Sequence, residues 1–207
     1  MTLTHQAIRR HFQKVDPIIH KAMENLNFND WIKPSKSKQN PKEFLVHLTR
    51  EIIGQQLSGK AANTIYSRFI SLFKYQKVDP KILIKMSDQE LRDAGLSWAK
   101  ASYVKNIAQS YLDGSVEFDK FPTLSDEKII EELTTIKGVG PWTAEMFLIF
   151  TLGREDVFSY GDLGLKKGFA KLYQKENPTK SQIERVIKKW TPYKSYGTIT
   201  LWYILDN

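Results

Sequence analysis

The chain has 207 residues, long enough for one large domain or two small ones with a true core. Against 23 Asp and Glu it carries 31 Lys and Arg, a net charge of +8 that favours a polyanionic partner, nucleic acid or an acidic membrane surface, and leaves the fold open. It has no cysteine, which excludes disulfides, thiolate zinc sites, iron–sulfur clusters and a cysteine nucleophile. The opening MTLTHQAIRRHF lacks the continuous apolar core of a signal peptide. The longest apolar runs, MFLIF and ITLWYIL, are far too short for a membrane span, so a soluble intracellular protein is expected.

In chain order, the first feature is KPSKSKQNPK at 33–42, with two prolines and four lysines. It reads as a solvated connector between an N-terminal helical arm and the body. In EFLVHLTREIIGQQ, Phe44, Leu45, Leu48 and Ile52 recur at helical spacing. Ser58 is placed to cap a second helix with Ala61, Ala62, Ile65, Phe69 and Leu72 along its inner side. SDQE at 87–90 is a capping box whose helix should stop at Gly95. Trp98 to Leu112 forms another amphipathic helix, with Ala101, Val104, Ile107, Ala108 and Tyr111 inward and Gly114 past its end. Ser125 caps the next, which turns Ile129, Ile130, Leu133 and Ile136 inward. The strand candidates VEF and DVF are short and bounded by charge, so the fold class is all-α.

Two loops stand apart from this helical pattern. KGVG precedes Pro141, which suits the first turn of a helix because its missing N–H costs nothing there. Gly138 and Gly140 allow positive φ and close backbone approach, and the free N–H groups of the following helix suit a phosphate oxygen. A plain αα turn explains the same residues. Further on, FSYGDLGLKKG sets Asp162 among small residues just before a helix, either as its N-cap or as a functional carboxylate. Asp156, in the charged turn REDV, is a rival acid expected to be solvated. His5, His11, His20 and His47 show no metal-ligand spacing, and no catalytic metal is implied.

TIKGVGPWTAEMF and FSYGDLGLKKG, together with REIIGQQLSGKAANTI, AGLSWAKASYVKNIA and WTPYKSYGTITLWY, resemble the helix–hairpin–helix DNA glycosylases, in that family's order from about residue 43 to the C-terminus. The resemblance is to the 3-methyladenine DNA glycosylase II type, in a compact form without an N-terminal β domain. It implies two helical subdomains around a central cleft, residues 43–115 forming one and residues 1–42 with 116–207 the other. It implies a monofunctional enzyme that hydrolyses the N-glycosidic bond of alkylated purines, 3-methyladenine and 7-methylguanine, flipped out of duplex DNA. Asp162 becomes the catalytic carboxylate, and Trp142, Trp202, Met146 and Tyr160 border the base pocket. The backbone is gripped by Lys137, Gly138, Val139 and Gly140. Gln55, Gln56, Leu57 and Ser58 form a junction from which Gln56 or Leu57 wedges into the duplex.

Family members that cut the strand carry a lysine where this chain has Trp142, so no lyase activity is expected. A single carboxylate suffices for the chemistry. A base alkylated at N3 or N7 is already cationic and leaves neutral, so no general acid is needed, while the carboxylate steadies the developing sugar cation. No cofactor is required; carbonyls of Thr134, Ile136 and Gly138 are implied ligands of a structural Na+ or K+ at the hairpin. The implied partner is double-stranded DNA, with no membrane, and the protein is expected to be a monomer, in the nucleoid if bacterial and the nucleus if eukaryotic. Two alternatives stand: a non-enzymatic helix–hairpin–helix protein that binds DNA structure, with Asp162 only a cap, and a glycosylase for another lesion.

Overall fold

The computed structural model describes residues 3–32 and 40–207, so most of the expected connector at 33–42 lies outside the described residues. Among the described residues there are twelve α-helices and no strand. They group into two compact units, Met1–Ser35 with Leu148–Asn207, and Lys36–Phe147. The first unit opens with α1 (Leu3–Val15) and α2 (Pro17–Ala22).

The second unit holds α3 (Pro41–Gly54), α4 (Gly59–Ser71), α5 (Pro80–Leu83), α6 (Asp88–Asp93), α7 (Trp98–Asp113), α8 (Asp126–Thr134) and α9 (Pro141–Met146). Most start where a short polar side chain closes an orphan amide: Asn40, Ser58, Asp79, Ser87, Ser97 and Ser125 each accept from a backbone N–H in the first turn. The capping box of Ser87 and Glu90 is formed, and α7 ends on Gly114 at φ 70°. α3 is the central element. It packs against α4, α7 and α9, and buries Phe44, Leu45, Leu48, Ile52 and Ile53. Leu72 departs from the expected inner stripe and is 38% exposed, because α4 is a surface helix that fully buries only Phe69.

The unit boundary differs from the sequence expectation. Residues 116–147, with the helix–hairpin–helix of α8 and α9, group with residues 40–115 rather than with the N-terminal helices. The physical reason is an aromatic cluster. Phe44 on α3 lies 6.3 Å from Phe121 and 6.0 Å from Phe147, and those two rings are 5.8 Å apart. All three are buried, so separating the hairpin from α3 would expose them.

The first unit is completed by α10 (Leu163–Tyr173), α11 (Lys180–Ile187) and α12 (Lys194–Asp206). α10 lies against α12 so closely that a Cβ on Gly168 would run into the Leu201 carbonyl. α12 buries every residue from Ser195 to Leu201, and the hydroxyls of Ser195, Thr198 and Thr200 donate to backbone carbonyls. Ser195 Oγ accepts from Val157 N (3.0 Å) and donates to the Arg154 carbonyl (2.7 Å), tying the segment that leads to Asp162 onto α12.

Asp16 holds the N-terminal helices in this unit. Its carboxylate is 6% exposed, caps α2 through Ile19 N, and accepts from Tyr173 Oη (2.6 Å) and Trp190 Nε1 (2.8 Å). Burial, followed by the charge of Asp16, pushes the Tyr173 hydroxyl well above the usual phenol range. Asp16→Ala would leave two buried donors unpaired, a cost of about 3 kcal/mol. Thermal unfolding should therefore begin at a clearly lower temperature in that variant, whereas a change within error would show that the carboxylate is dispensable.

Candidate active site

Asp162 stands at the N-terminus of α10, after a π-helical stretch at Phe147–Leu152 and a loop tied to α12. Its Oδ1 accepts from Leu165 N at 2.8 Å, so it is the N-cap, with the positive end of the helix dipole behind it. The indole Nε1 of Trp202 on α12 is 3.5 Å from the same oxygen, and the indole is stacked on Phe150 at 5.8 Å with a 26° tilt. Gly164 makes this meeting sterically simple. A Cβ there would sit 3.0 Å from Asp162 Oδ1 and 3.5 Å from the Trp202 indole. The cap fixes the carboxylate's rotamer, and the half-buried side chain is positioned to stabilise a cation beside an aromatic ring. The two roles read from the sequence, cap and functional acid, are therefore compatible.

Tyr160, two residues earlier, is 43% exposed, packs on Phe158 at 4.9 Å and carries the Lys180 ammonium 5.6 Å from its ring centre. Partial burial raises its hydroxyl pKa, with Glu184 and Asp156 adding to the shift. Leu163, which the sequence reading passed over, is 73% exposed right beside the carboxylate. Asp156 is not simply solvated as expected. It accepts from Lys194 N (3.2 Å) and Lys194 Nζ (3.0 Å), supplying the cap that Tyr193 does not offer to α12.

The other sequence-derived residues belong to the second unit. At the junction of α3 and α4, Gln55 Nε2 donates to Thr143 Oγ1 on α9 (2.8 Å), and Gln56 adopts a left-handed φ of 57°. Gln56 is exposed, Leu57 is 39% exposed, and Ser58 caps α4. In the hairpin, the two glycines do different things. Gly138 has φ 107° and lies on the Tyr103 ring, where a Cβ would overlap it, so its smallness serves internal packing. Gly140 is the N-cap of α9 without a side-chain cap, and a Cβ there would meet open space. Lys137 is exposed and Val139 is 5% exposed. Val139 N donates to the Ile136 carbonyl at 2.9 Å. Trp142 is 39% exposed in the first turn of α9, whereas Met146 is 3% exposed and packs into the core.

Three anchors of these loops escaped the sequence reading, all on α7. Lys100 Nζ donates to the carbonyls of Ile53 (2.9 Å) and Gln55 (2.6 Å). Tyr103 backs Gly138, and Asn106 Nδ2 donates to the Lys137 carbonyl at 3.0 Å. Burial lowers the Lys100 pKa. Lys100 and Asn106 sit among the other polar residues of an amphipathic helix, where surface exposure explains them equally well. Among the described residues, no group of three or more His, Asp or Glu is placed to hold a metal ion, and no helix is long and apolar enough to cross a membrane.

Comparisons with known proteins give the family. The sequence model of the HhH-GPD superfamily of base excision DNA repair proteins matches residues 49–193. The Bacillus subtilis protein YfjP is 34% identical over 162 residues, which are 75% of this chain and 56% of that relative. A DNA-3-methyladenine glycosylase of Saccharomyces cerevisiae is 32% identical over 209 aligned residues, 95% of this chain and 69% of its own length. The Schizosaccharomyces pombe 3-methyladenine DNA glycosylase Mag1, solved in complex with abasic DNA, superposes with a TM-score of 0.80 at 31% identity over 95% of both chains. The matched span runs from the end of α3 through the hairpin and Asp162 to the start of α12, so the capped carboxylate and the glycine hairpin fall inside it. By fold and by sequence, this chain belongs to the HhH-GPD superfamily of base excision DNA repair proteins.

Proposed function

We propose that the chain is a monofunctional DNA glycosylase that releases alkylated purines, 3-methyladenine and 7-methylguanine, from duplex DNA. The observation that carries this reading is the Asp162 carboxylate held at the start of α10 beside the Trp202 indole. In the reaction, the bond between the anomeric carbon and the base nitrogen breaks with its electron pair leaving on the base. A base methylated at N3 or N7 carries a positive charge and departs neutral. Asp162 steadies the sugar cation and orients the water that adds to the anomeric carbon, and the released proton passes to solvent or the carboxylate.

The base must leave the stack first. Trp202 and Trp142 are the aromatic surfaces we assign to the cationic base, with Tyr160 beside the carboxylate. Met146, buried in its unit, is the fourth residue we assign to the pocket wall. Gln56 or Leu57 fills the vacated space, and the backbone of residues 137–140 takes a phosphate. The partner is double-stranded DNA, the acting form a monomer, and the compartment whichever holds the genome. Neutral carbonyls of Thr134, Ile136 and Gly138 suit a Na+ or K+ in donor type, and the Ile136 carbonyl has one lone pair left after Val139 N. Such an ion would add positive charge near a phosphate; no step of the reaction needs it. A second reading, a DNA-structure binder without chemistry, draws on the real capping role of Asp162.

Asp162→Asn separates these readings, because asparagine caps a helix about as well as aspartate. Release of free base should fall by about a hundredfold or more while DNA binding and thermal stability are retained. Full activity in that variant would remove Asp162 from the chemistry. Product strands should stay intact until heated in alkali, since Trp142 stands where strand-cutting family members carry a lysine; efficient borohydride trapping of a covalent adduct would contradict the hydrolytic route. Affinity for DNA should drop steeply between low and moderate salt. A salt-independent Kd would argue against phosphate contacts as the main source of binding.

A further inference from the structure

We propose that Lys100 is a positioning residue for base extrusion, and that one side of α7 holds the wedge junction and the phosphate-gripping hairpin as a single rigid block. The proposal rests on the glycosylase reading, which makes Gln56 or Leu57 the wedge. α3 ends at Gly54, so its last carbonyls have no partner inside the helix. Lys100 Nζ takes two carbonyls at this end, those of Ile53 and Gln55, and places its cation at the negative end of the helix dipole. The very next residue, Gln56, has the left-handed φ of 57° that a residue with a Cβ adopts only when its surroundings impose it. Gln55 is held from its other side by Thr143 Oγ1 on α9.

The same helix then fixes the hairpin. Tyr103 lies three residues after Lys100 and backs Gly138, and Asn106, three further on, donates to the Lys137 carbonyl. Successive anchors are thus about 4.5 Å apart along the α7 axis. Exposed Gln56 and Leu57 project from a loop whose backbone is pinned on both flanks. A loose wedge would have to be ordered during insertion and would lose part of the free energy needed to unstack a base. Lys100 therefore acts on extrusion, upstream of bond cleavage by Asp162.

The test compares single-turnover release of 7-methylguanine from two duplexes, one with the lesion paired to cytosine and one with it opposite an abasic gap, where little extrusion is needed. Lys100→Met should lower the rate on the paired duplex about tenfold or more and change the rate on the gapped duplex less than about threefold. Lys100→Arg, which keeps a cation with several donors, should recover most of the paired-duplex rate. Equal loss on both duplexes, or no loss on either, would overturn the proposal. If Lys100→Met does not fold, Thr143→Val, which removes the acceptor of Gln55, is read in the same way: a loss confined to the paired duplex supports the block, and a uniform loss or none overturns it. Absence of base release by the unaltered protein from both duplexes would instead defeat the glycosylase reading itself.

Discussion

An α-helix leaves its first amides and last carbonyls without partners, and the candidate functional groups of this chain sit where such ends are satisfied. Asp162 spends one carboxylate oxygen on the first turn of α10, and that bond sets the direction of the whole side chain. Ser58 closes α4 just after the exposed Gln56 and Leu57. Lys100 closes the other end of the same junction by taking the last carbonyls of α3. Gly140 does the reverse, since it leaves α9 without a side-chain cap, and a Cβ there would meet open space. The candidate groups are thus placed by the geometry of helix termini.

Both units have apolar cores, and different contacts position the candidate segments in each. Lys36–Phe147 is organised by apolar contact, with the rings of Phe44, Phe121 and Phe147 binding the hairpin region to α3. The unit that carries Asp162 adds buried hydrogen bonds to an apolar core around Phe12, Phe28 and Trp190. Asp16 joins α2 to Tyr173 and Trp190, while Ser195 and Thr198 fasten residues 154–157 to α12. Buried polar bonds of this kind are directional, so they specify where a loop sits more sharply than apolar burial does. A carboxylate that must stand within contact of an indole benefits from that directionality.

Much of the fold was legible in local patterns. Ser58, Ser87, Ser125, Gly114 and Pro141 mark helix ends where the structure has them, because capping depends on residues only a few positions apart. The pairing of Asp162 with α10 was readable for the same reason. The grouping of the hairpin with α3 was not, since it depends on three phenylalanines spread over about a hundred positions, each of which reads only as an apolar residue.

From the sequence alone come the all-helical class, several helix ends, the family and Asp162 as the candidate carboxylate, all consequences of short-range spacing and of motif order along the chain. Tertiary packing alone decided that Gly138 serves Tyr103 while Gly140 faces open space, that Asp156 caps α12, and that Lys100 ties α7 to the end of α3. Those outcomes join residues 35 to 45 positions apart, through steric fit and hydrogen-bond geometry that no linear pattern encodes.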